Sequence, residues 1–342
     1  TIRNATFVDP LVSQYEFMIW IAYYTCVDMV LCVVGIIANV INITTFSAMG
    51  VDDGITVAFV FLSSSELLCC LAALGQKLAM AFWVVEMVTD YSTWFAIHPY
   101  VFNSFFGHTR HCIVAIPELI TTYLAVVKCM CVTRPFTFPS FFTLNKTLWA
   151  MKAICVFSVA SYVPLFACMG TADELDPAVN ATRRMLWFAP YRDIVKVMVW
   201  SGRDAFLAFA SQSIILISVV FMARALSEAA KLRERLRSGT YAEDVPEASR
   251  QSPTGARKSG GGALSAKELQ IVKQIVLISV FYVIGTIPKM AVLLAYATVS
   301  EFTQGGVYQN VYIVASKGSE SSELILSIVN IFIYYRYNSK FR

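Results

Sequence analysis

The stretch "AFLAFASQSIILISVVFMARAL", Ala205–Leu226, decides the class of fold that this chain adopts. Arg224 is its single charged residue. A helix needs about 20 mostly apolar residues to cross a bilayer. The stretch therefore predicts a membrane-spanning helix.

The whole chain has the composition of a membrane protein. Of its 342 residues, 57% are hydrophobic and 15% are charged, and the mean hydropathy is +0.61. A soluble domain is about 45–50% apolar and about 25% charged, so this composition excludes a soluble fold. Although the length would suit about two soluble domains, the spacing of apolar segments favours one membrane bundle.

Seven apolar segments are long enough to span a membrane. They are Phe17–Phe46, Ile55–Val85, Tyr100–Val132, Thr147–Met169, Ala205–Leu226, Leu269–Ala297 and Val307–Tyr335. Glycine and proline within them are compatible with membrane helices. We interpret residues 1–342 as a single all-α domain, a seven-transmembrane helix bundle.

The distribution of charge orients the predicted bundle. Most of the 27 Lys and Arg residues fall on the side that holds the C-terminus, which the positive-inside tendency makes cytoplasmic. Residues 1–16 then form an extracellular N-terminus, and Asn4 and Asn180 begin glycosylation sequons outside. Residues 227–266 open as a charged helical extension and continue as a Ser-, Pro- and Gly-rich stretch, which predicts a flexible third cytoplasmic loop.

The metal-ligating residue types give little support for a cofactor or for catalysis. All nine cysteines lie between Cys26 and Cys168, mostly within apolar segments, where cysteine behaves as a small hydrophobic residue. His108 and His111 with Cys112 have zinc-compatible spacing, but the rest of a tetrahedral shell is not visible. We predict no metal, no cofactor and no enzymatic activity.

The end of the chain resembles a known family. Asn330-Ile331-Phe332-Ile333-Tyr334, followed by "NSKFR" at 338–342, resembles the seventh-helix ending of rhodopsin-like G-protein-coupled receptors. That family has N-P-x-x-Y there, then a short amphipathic helix bearing F-R. Ile331 replaces the proline. The resemblance implies a short amphipathic C-terminal helix after the bundle.

Other segments resemble the same family in the same order. They are Gly35–Val40 around Asn39, Leu62–Leu67 with Glu66 in place of Asp, Val127-Lys128-Cys129 in place of D/E-R-Y, and Phe281–Pro288 with its proline kept. Trp149 matches the fourth-helix tryptophan of the family. The style of divergence is similar to that of invertebrate chemosensory receptor sets.

The resemblance implies a set of residues that switch the receptor between states. They are Asn39, Glu66, Lys128, Glu268, Tyr282, Pro288, Asn330 and Tyr334. We expect Glu66, Asn39 and Asn330 to form a polar core at mid-membrane depth, which would serve either switching or structure alone. Lys128 and Glu268 are either an inner latch between two helices or two independent charges facing the cytosol.

The family's outer disulfide is expected to be absent. Its third-helix cysteine position corresponds to Asn103, and the second outer loop, about Thr171–Lys196, contains no cysteine.

Charged residues inside the spans point to a ligand site. Each costs roughly 2.5–3.5 kcal/mol in a membrane, so such residues usually face the bundle interior. Arg110 lies five helical turns before Lys128 and shares its face, which directs it into the predicted outer cavity. The predicted ligand-binding residues are Arg110, Lys77, His111, Lys289, Glu320 and Lys317.

Cations outnumber acids in this predicted set. Glu320 and Asp28 are the acids expected to face three or four cations, and an uncompensated buried cation is costly. This predicts an anionic or zwitterionic ligand, such as a small carboxylate, an amino acid or an acidic peptide end. Internal salt bridges without a ligand role are the alternative.

The sequence thus predicts a plasma-membrane receptor that binds an extracellular ligand and activates a heterotrimeric G protein, with a chemosensory role as one form. A neuropeptide receptor of the same fold and, less favoured, a membrane transporter or channel are the alternatives. The expected partners are the ligand, the G protein and the lipid membrane, with no nucleic acid.

Overall fold

The computed structural model describes residues 11–133, 143–237, 266–303, 305–337 and 341. These residues form long helices joined by short connections and one β-hairpin. The helices are α1 (Gln14–Ala48), α2 (Gly54–Val88), α3 (Pro99–Thr133), α4 (Leu144–Ala160), α5 (Val163–Phe166), α6 (Arg192–Val197), a π-helical segment (Met198–Ala205), α7 (Phe206–Arg237), α8 (Ala266–Thr298) and α9 (Gln309–Tyr337), and the strands are β1 (Met169–Asp176) and β2 (Ala181–Phe188).

Six helical stretches in the described ranges are long and apolar enough to cross a membrane, which is the architecture of a multi-pass membrane protein. They fall on α1, α2, α3, α4 with α5, α6 through the first part of α7, and α8. The seventh predicted segment is also helical, as α9. It is more polar because Lys317, Glu320 and Glu323 lie in its first half.

The long helices pack as a closed bundle with α3 near its centre. α2 packs against α1 and α3, and α9 packs against α1 and α8, while α3 also contacts α4, α7 and α8. The main apolar core includes Phe46, Leu62, Ile120, Met151, Ile275 and Tyr334. We call the end of the bundle that carries the β-hairpin the hairpin end.

Local sequence explains where several helices begin. Ser13 and Glu16 form a reciprocal capping box at the start of α1, and Asp53 accepts the backbone N–H groups of Ile55 and Thr56 at the start of α2. Such side chains satisfy the orphan donors of a first helical turn. The capped starts fix the lengths of the first two helices.

The fourth predicted span, Thr147–Met169, is interrupted in the structure. α4 ends at Ala160, and Tyr162 precedes the single turn α5, which has Pro164 in its first positions. Proline is favoured at the start of a helix and cannot continue the preceding one. The chain therefore breaks at Ser161–Tyr162.

The β-hairpin is a departure from the predicted all-α fold. Its strands pair antiparallel, with Met169 opposite Phe188 and Asp176 opposite Ala181. Ile97, in the connection between α2 and α3, pairs with Arg184 as an additional parallel bridge. The hairpin is thereby fastened to the end of α2.

Candidate functional site

A network of buried ions occupies the interior of the bundle. It begins on α1 and α2, where Lys77 Nζ lies 2.6 Å from Asp28 Oδ2. Asp28 also accepts a hydrogen bond from the Ser321 hydroxyl. Lys77 lies 3.3 Å from Glu320 Oε2 on α9, and Lys317 Nζ lies 2.9 Å from the same oxygen. Asp28, Lys77 and Glu320 therefore connect α1, α2 and α9.

Arg110 and Lys289 continue the network towards α3 and α8. Arg110 Nη1 lies 3.6 Å from Glu320 Oε1 and its Nη2 lies 2.5 Å from Glu323 Oε2. Lys289 Nζ lies 3.3 Å from Glu323 Oε1 and 3.6 Å from Glu118 Oε2. The two carboxylate oxygens of Glu323 thus connect the cations of two different helices.

The charges of this network balance, which corrects the count made from the sequence. Four cations face four acids: Lys77, Arg110, Lys289 and Lys317 against Asp28, Glu118, Glu320 and Glu323. The sequence count omitted Glu118 and Glu323. Glu323 follows Glu320 by three residues, a spacing that shares one helix face, and this signal could have placed it in the network.

Five of the six predicted ligand-binding residues meet in this network. The sixth, His111, lies beside it on α3, where its ring centroid is 6.1 Å from that of Trp200. The ring centroids of Trp200 and Tyr296 lie 6.3 Å apart, and those of Tyr296 and Tyr312 lie 6.0 Å apart. These rings form an aromatic row across the bundle on the hairpin side of the ions.

A cavity of about 70 Å³ lies between the network and the polar core beneath it. Arg110, Glu118, Lys289 and Glu323 line one part, and Glu66, Ser327 and Asn330 line another. This space exceeds the ~10–15 Å³ that one water molecule requires, and polar side chains from both groups face it among apolar ones. The cavity can therefore hold several waters that connect the two groups of residues.

Two predicted switch residues, Glu66 and Asn330, line this cavity, and a third, Asn39, is joined to it through Ser327. Asn330 donates a hydrogen bond of 2.8 Å from Nδ2 to Glu66 Oε1. Asn39 donates to the Ser327 hydroxyl at 2.8 Å and to the Gly35 carbonyl at 3.0 Å. All three are buried, so α1, α2 and α9 are connected by side-chain amides at mid-bundle depth.

Tyr334 lies one turn further along α9 and is fully buried. Its ring packs against Phe46 at 4.9 Å and Phe59 at 5.1 Å, measured between centroids. Phe341 packs on Tyr334 at 5.8 Å and on Phe46 at 5.2 Å. Phe341 therefore packs against α1 and α9, while residues 338–340 and 342 of the predicted C-terminal helix lie outside the described part of the chain.

Tyr282 and Pro288 belong to the segment of α8 that borders the cavity. Tyr282 lines it, and Thr286 donates back to the Tyr282 carbonyl at 2.8 Å. The Gln212 amide on α7 hydrogen bonds to Thr286. Pro288 lies inside α8, where it removes one backbone donor.

The structure describes the side chain of only one of the two residues in the predicted inner latch. Lys128 is buried near the end of α3. The side chain of Glu268 lies outside the described part of the chain, as does Asn4. The other sequon residue, Asn180, is exposed in the hairpin turn with a φ of 49°.

A second ion cluster, which the sequence did not indicate, holds the hairpin on α2. The Arg183 guanidinium donates from Nη1 to Glu86 Oε1 at 2.7 Å and from Nε to Asp176 Oδ2 at 2.7 Å. The Phe95 N–H donates to Glu86 at 3.0 Å, and the Ala178 N–H donates to Asp176 at 2.9 Å. We call Arg183, Glu86 and Asp176 the hairpin triad.

The surroundings of the hairpin triad shift two pKa values. Burial alone would raise the pKa of Asp176, but hydrogen bonds from the Ala178 N–H and Arg183 outweigh it and lower that pKa below its usual range. Burial lowers the pKa of His98, and the charge of Arg183 lowers it further, whereas Glu86 and Asp176 act in the opposite direction.

The cysteines and histidines take part in separate contacts. All nine cysteines are free thiols, and Cys112 and Cys168 approach different carbonyls, those of Ser158 and Pro164. His108 hydrogen bonds to Tyr162, while His111 faces Trp200. Within the described ranges no group of three His, Cys, Asp or Glu residues could hold a metal ion.

Two comparisons with known proteins gave no match for this chain. No protein-family model matches the chain, and no curated protein shows significant similarity to it.

Proposed function

We propose that this chain is a divergent rhodopsin-like receptor of the plasma membrane, with seven spanning helices, that binds a small extracellular ligand and activates a heterotrimeric G protein. In this proposal the hairpin end faces outward, and the amphipathic C-terminal helix and the 227–266 loop face the cytoplasm. A chemosensory role suits the style of sequence divergence.

The observation that carries the proposal is the hydrogen bond from Asn330 to Glu66 beside the pair of Asn39 and Ser327. The resemblance implies Asn39, Glu66 and Asn330 from three distant segments. Glu66 and Asn330 line one cavity, and Asn39 is hydrogen-bonded to Ser327, which lines it too. Their position below the ion network gives a physical route from a ligand to the opposite end of the bundle. A change in the ions would alter the cavity that both groups line.

The balanced network supports a zwitterionic ligand over a purely anionic one. A group that brings one positive and one negative charge can exchange partners with Arg110 and Glu323 while the site stays neutral. A purely anionic ligand would add a negative charge to four balanced pairs. Buried charges are tolerated when they are paired. A ligand with no net charge therefore has the smallest free-energy cost of binding in this site.

The test is a screen in cells that measures dissociation of G-protein subunits by resonance energy transfer. The library contains amino acids, betaines, small carboxylates, amines and short peptides. We expect concentration-dependent dissociation with a zwitterion. A Tyr334→Ala variant, expressed at the same surface density, should lose most of the response while retaining ligand binding.

Uptake of labelled library compounds is measured in parallel. Accumulation of a compound without any G-protein response would contradict the proposal and support a transporter. A response confined to peptides would keep the receptor and replace its ligand class.

A further inference from the structure

An apolar cleft opens between α2 and α3 near the hairpin end of the bundle. Its volume is about 520 Å³. The lining residues are Gly75, Leu78, Ala79, Phe82, Phe95, Ile97, Pro99, Phe102 and Phe106. It is separate from the ion network and from the cavity below it, and none of its lining side chains is polar.

The cleft faces the lipid and not the bundle interior. Leu78, Phe82 and Phe102 are 41%, 51% and 44% exposed at its mouth. These residues belong to two helices that are long and apolar enough to cross the membrane. Ala79 is buried at its floor, and Phe95 and Ile97 from the connection between α2 and α3 form its roof.

Neither water nor a vacuum is a stable occupant of this space. Apolar cavities exclude water, and an empty one sacrifices the dispersion contacts of its walls. A hydrocarbon group that enters from the bilayer restores the dispersion contacts of the walls. The lipid surroundings therefore determine that the occupant is apolar.

The dimensions favour a wide, flat occupant. From Gly75 to Phe82 the cleft extends about 10 Å along α2, at 1.5 Å per residue, so its cross-section is roughly 50 Å². One extended acyl chain is about 4–5 Å wide, or roughly 20 Å² in section. A single chain would leave more than half of the section unfilled.

The loss of conformational freedom on binding also favours a wide, flat and rigid occupant. Four phenylalanine rings line the cleft, and Phe82 and Phe95 lie with centroids 5.3 Å apart. A flexible chain loses rotational freedom when it is ordered against fixed walls, whereas a fused-ring molecule loses little. We propose that this cleft is a binding site for one sterol-class lipid, entered from the leaflet on the hairpin side.

A lipid bound in the cleft would restrain the position of the hairpin. Phe95, in the roof, donates its N–H to Glu86 of the hairpin triad, and Ile97 pairs with Arg184. A rigid lipid beneath these residues restrains the connection from below while the triad restrains it from above. This inference does not depend on coupling to a G protein.

The experiment places the full chain in lipid nanodiscs that contain either a photoreactive sterol or a phospholipid with a photoreactive acyl chain. Leu78→Trp fills the cleft mouth with a larger side chain. Leu71→Trp is the matched control, because Leu71 is 46% exposed two turns away on α2 and does not line the cleft. Labelled peptides are mapped by mass spectrometry.

We expect the sterol to label residues of the α2–α3 cleft and to be displaced by unlabelled sterol. Leu78→Trp should reduce that labelling roughly tenfold, and Leu71→Trp should leave it unchanged. Sterol should also raise the thermal unfolding temperature of the unmodified chain more than that of Leu78→Trp.

Three results would overturn the proposal. They are labelling spread evenly over the lipid-facing helices, cleft labelling that Leu78→Trp does not reduce, and preferential cleft labelling by the acyl chain.

Discussion

Two buried ion clusters in the described part of the chain, the hairpin triad and the network inside the bundle, differ in how completely they are enclosed. Arg183 and Glu86 have side chains with no exposed surface, and a backbone N–H group also donates to each of the two acids. In the network Glu323 and Lys289 keep 16% and 19% of their side-chain surface, and both line a cavity.

This difference separates a structural role from a functional one. The hairpin triad has one cation whose partners are all fixed, so removing it leaves buried charges with no replacement. Each acid of the network that contacts Arg110 also contacts another cation. The network can therefore change partners, which is the property that a ligand-responsive site needs.

The largest effect is expected from breaking the hairpin triad. Arg183→Ala should destabilise the chain by about 3–5 kcal/mol, because Glu86 remains buried without its cation. Arg184→Ala is the control: Arg184 is 54% exposed and lies 3.5 Å from Asp173, and an exposed pair contributes about 0–1 kcal/mol. Thermal unfolding in detergent and surface expression measure both. Equal losses in the two variants would refute the structural role of the triad.

An intermediate effect is expected at the polar core. Asn330→Ala removes the donor to Glu66, a loss of about 1–3 kcal/mol for a hydrogen bond to an acid. Agonist-induced G-protein dissociation should fall while ligand binding is retained. Asn42→Ala is the control, because Asn42 is buried and its amide has no hydrogen-bond partner in the described part of the chain. Similar responses from the two variants would show that the amide of Asn330 has no switching role.

The smallest effect is a pH dependence of the hairpin contact. The folded state lowers the pKa of His98 below its usual value of about 6.5, so the unfolded state takes up the proton first. Stability is therefore present above that value and is lost as the pH falls through it. Asp176, whose pKa is also lowered, loses its contribution only below about pH 3.9.

Hydrogen exchange of the backbone amides at the Ile97–Arg184 bridge, corrected for intrinsic exchange rates, measures this pH dependence. Exchange should increase between pH 7 and pH 5 in the unmodified chain and stay constant in His98→Gln. The same increase in both would assign the pH dependence to other groups.

The sequence predicted the long helices better than the contacts between them. Apolar segments of spanning length indicated all seven long helices, because helix length follows from the thickness of the bilayer. Helical spacing placed Arg110 on an interior face. The ends of α4 and α6 were not predicted, because membrane helices tolerate an internal proline such as Pro164 and because a π-helical segment depends on packing.

The partners of the buried ions could not be predicted fully, because a charge on one helix has several candidate acids on others. The contact of Glu118 with Lys289, for example, depends on how α3 and α8 approach each other. The hairpin triad had no sequence signal, because Arg183 and Asp176 lie in a segment that was interpreted as a loop.

The most direct test of the central claim is the dose response of Arg110 variants, measured by G-protein dissociation at matched surface density with an identified agonist. Arg110→Ala should shift the response to higher concentration by roughly 10- to 100-fold, as expected for loss of a charged hydrogen bond. Arg110→Lys should shift it less, because the charge remains while the two-pronged geometry is lost. A cationic agonist whose potency is the same in all three chains would contradict the account.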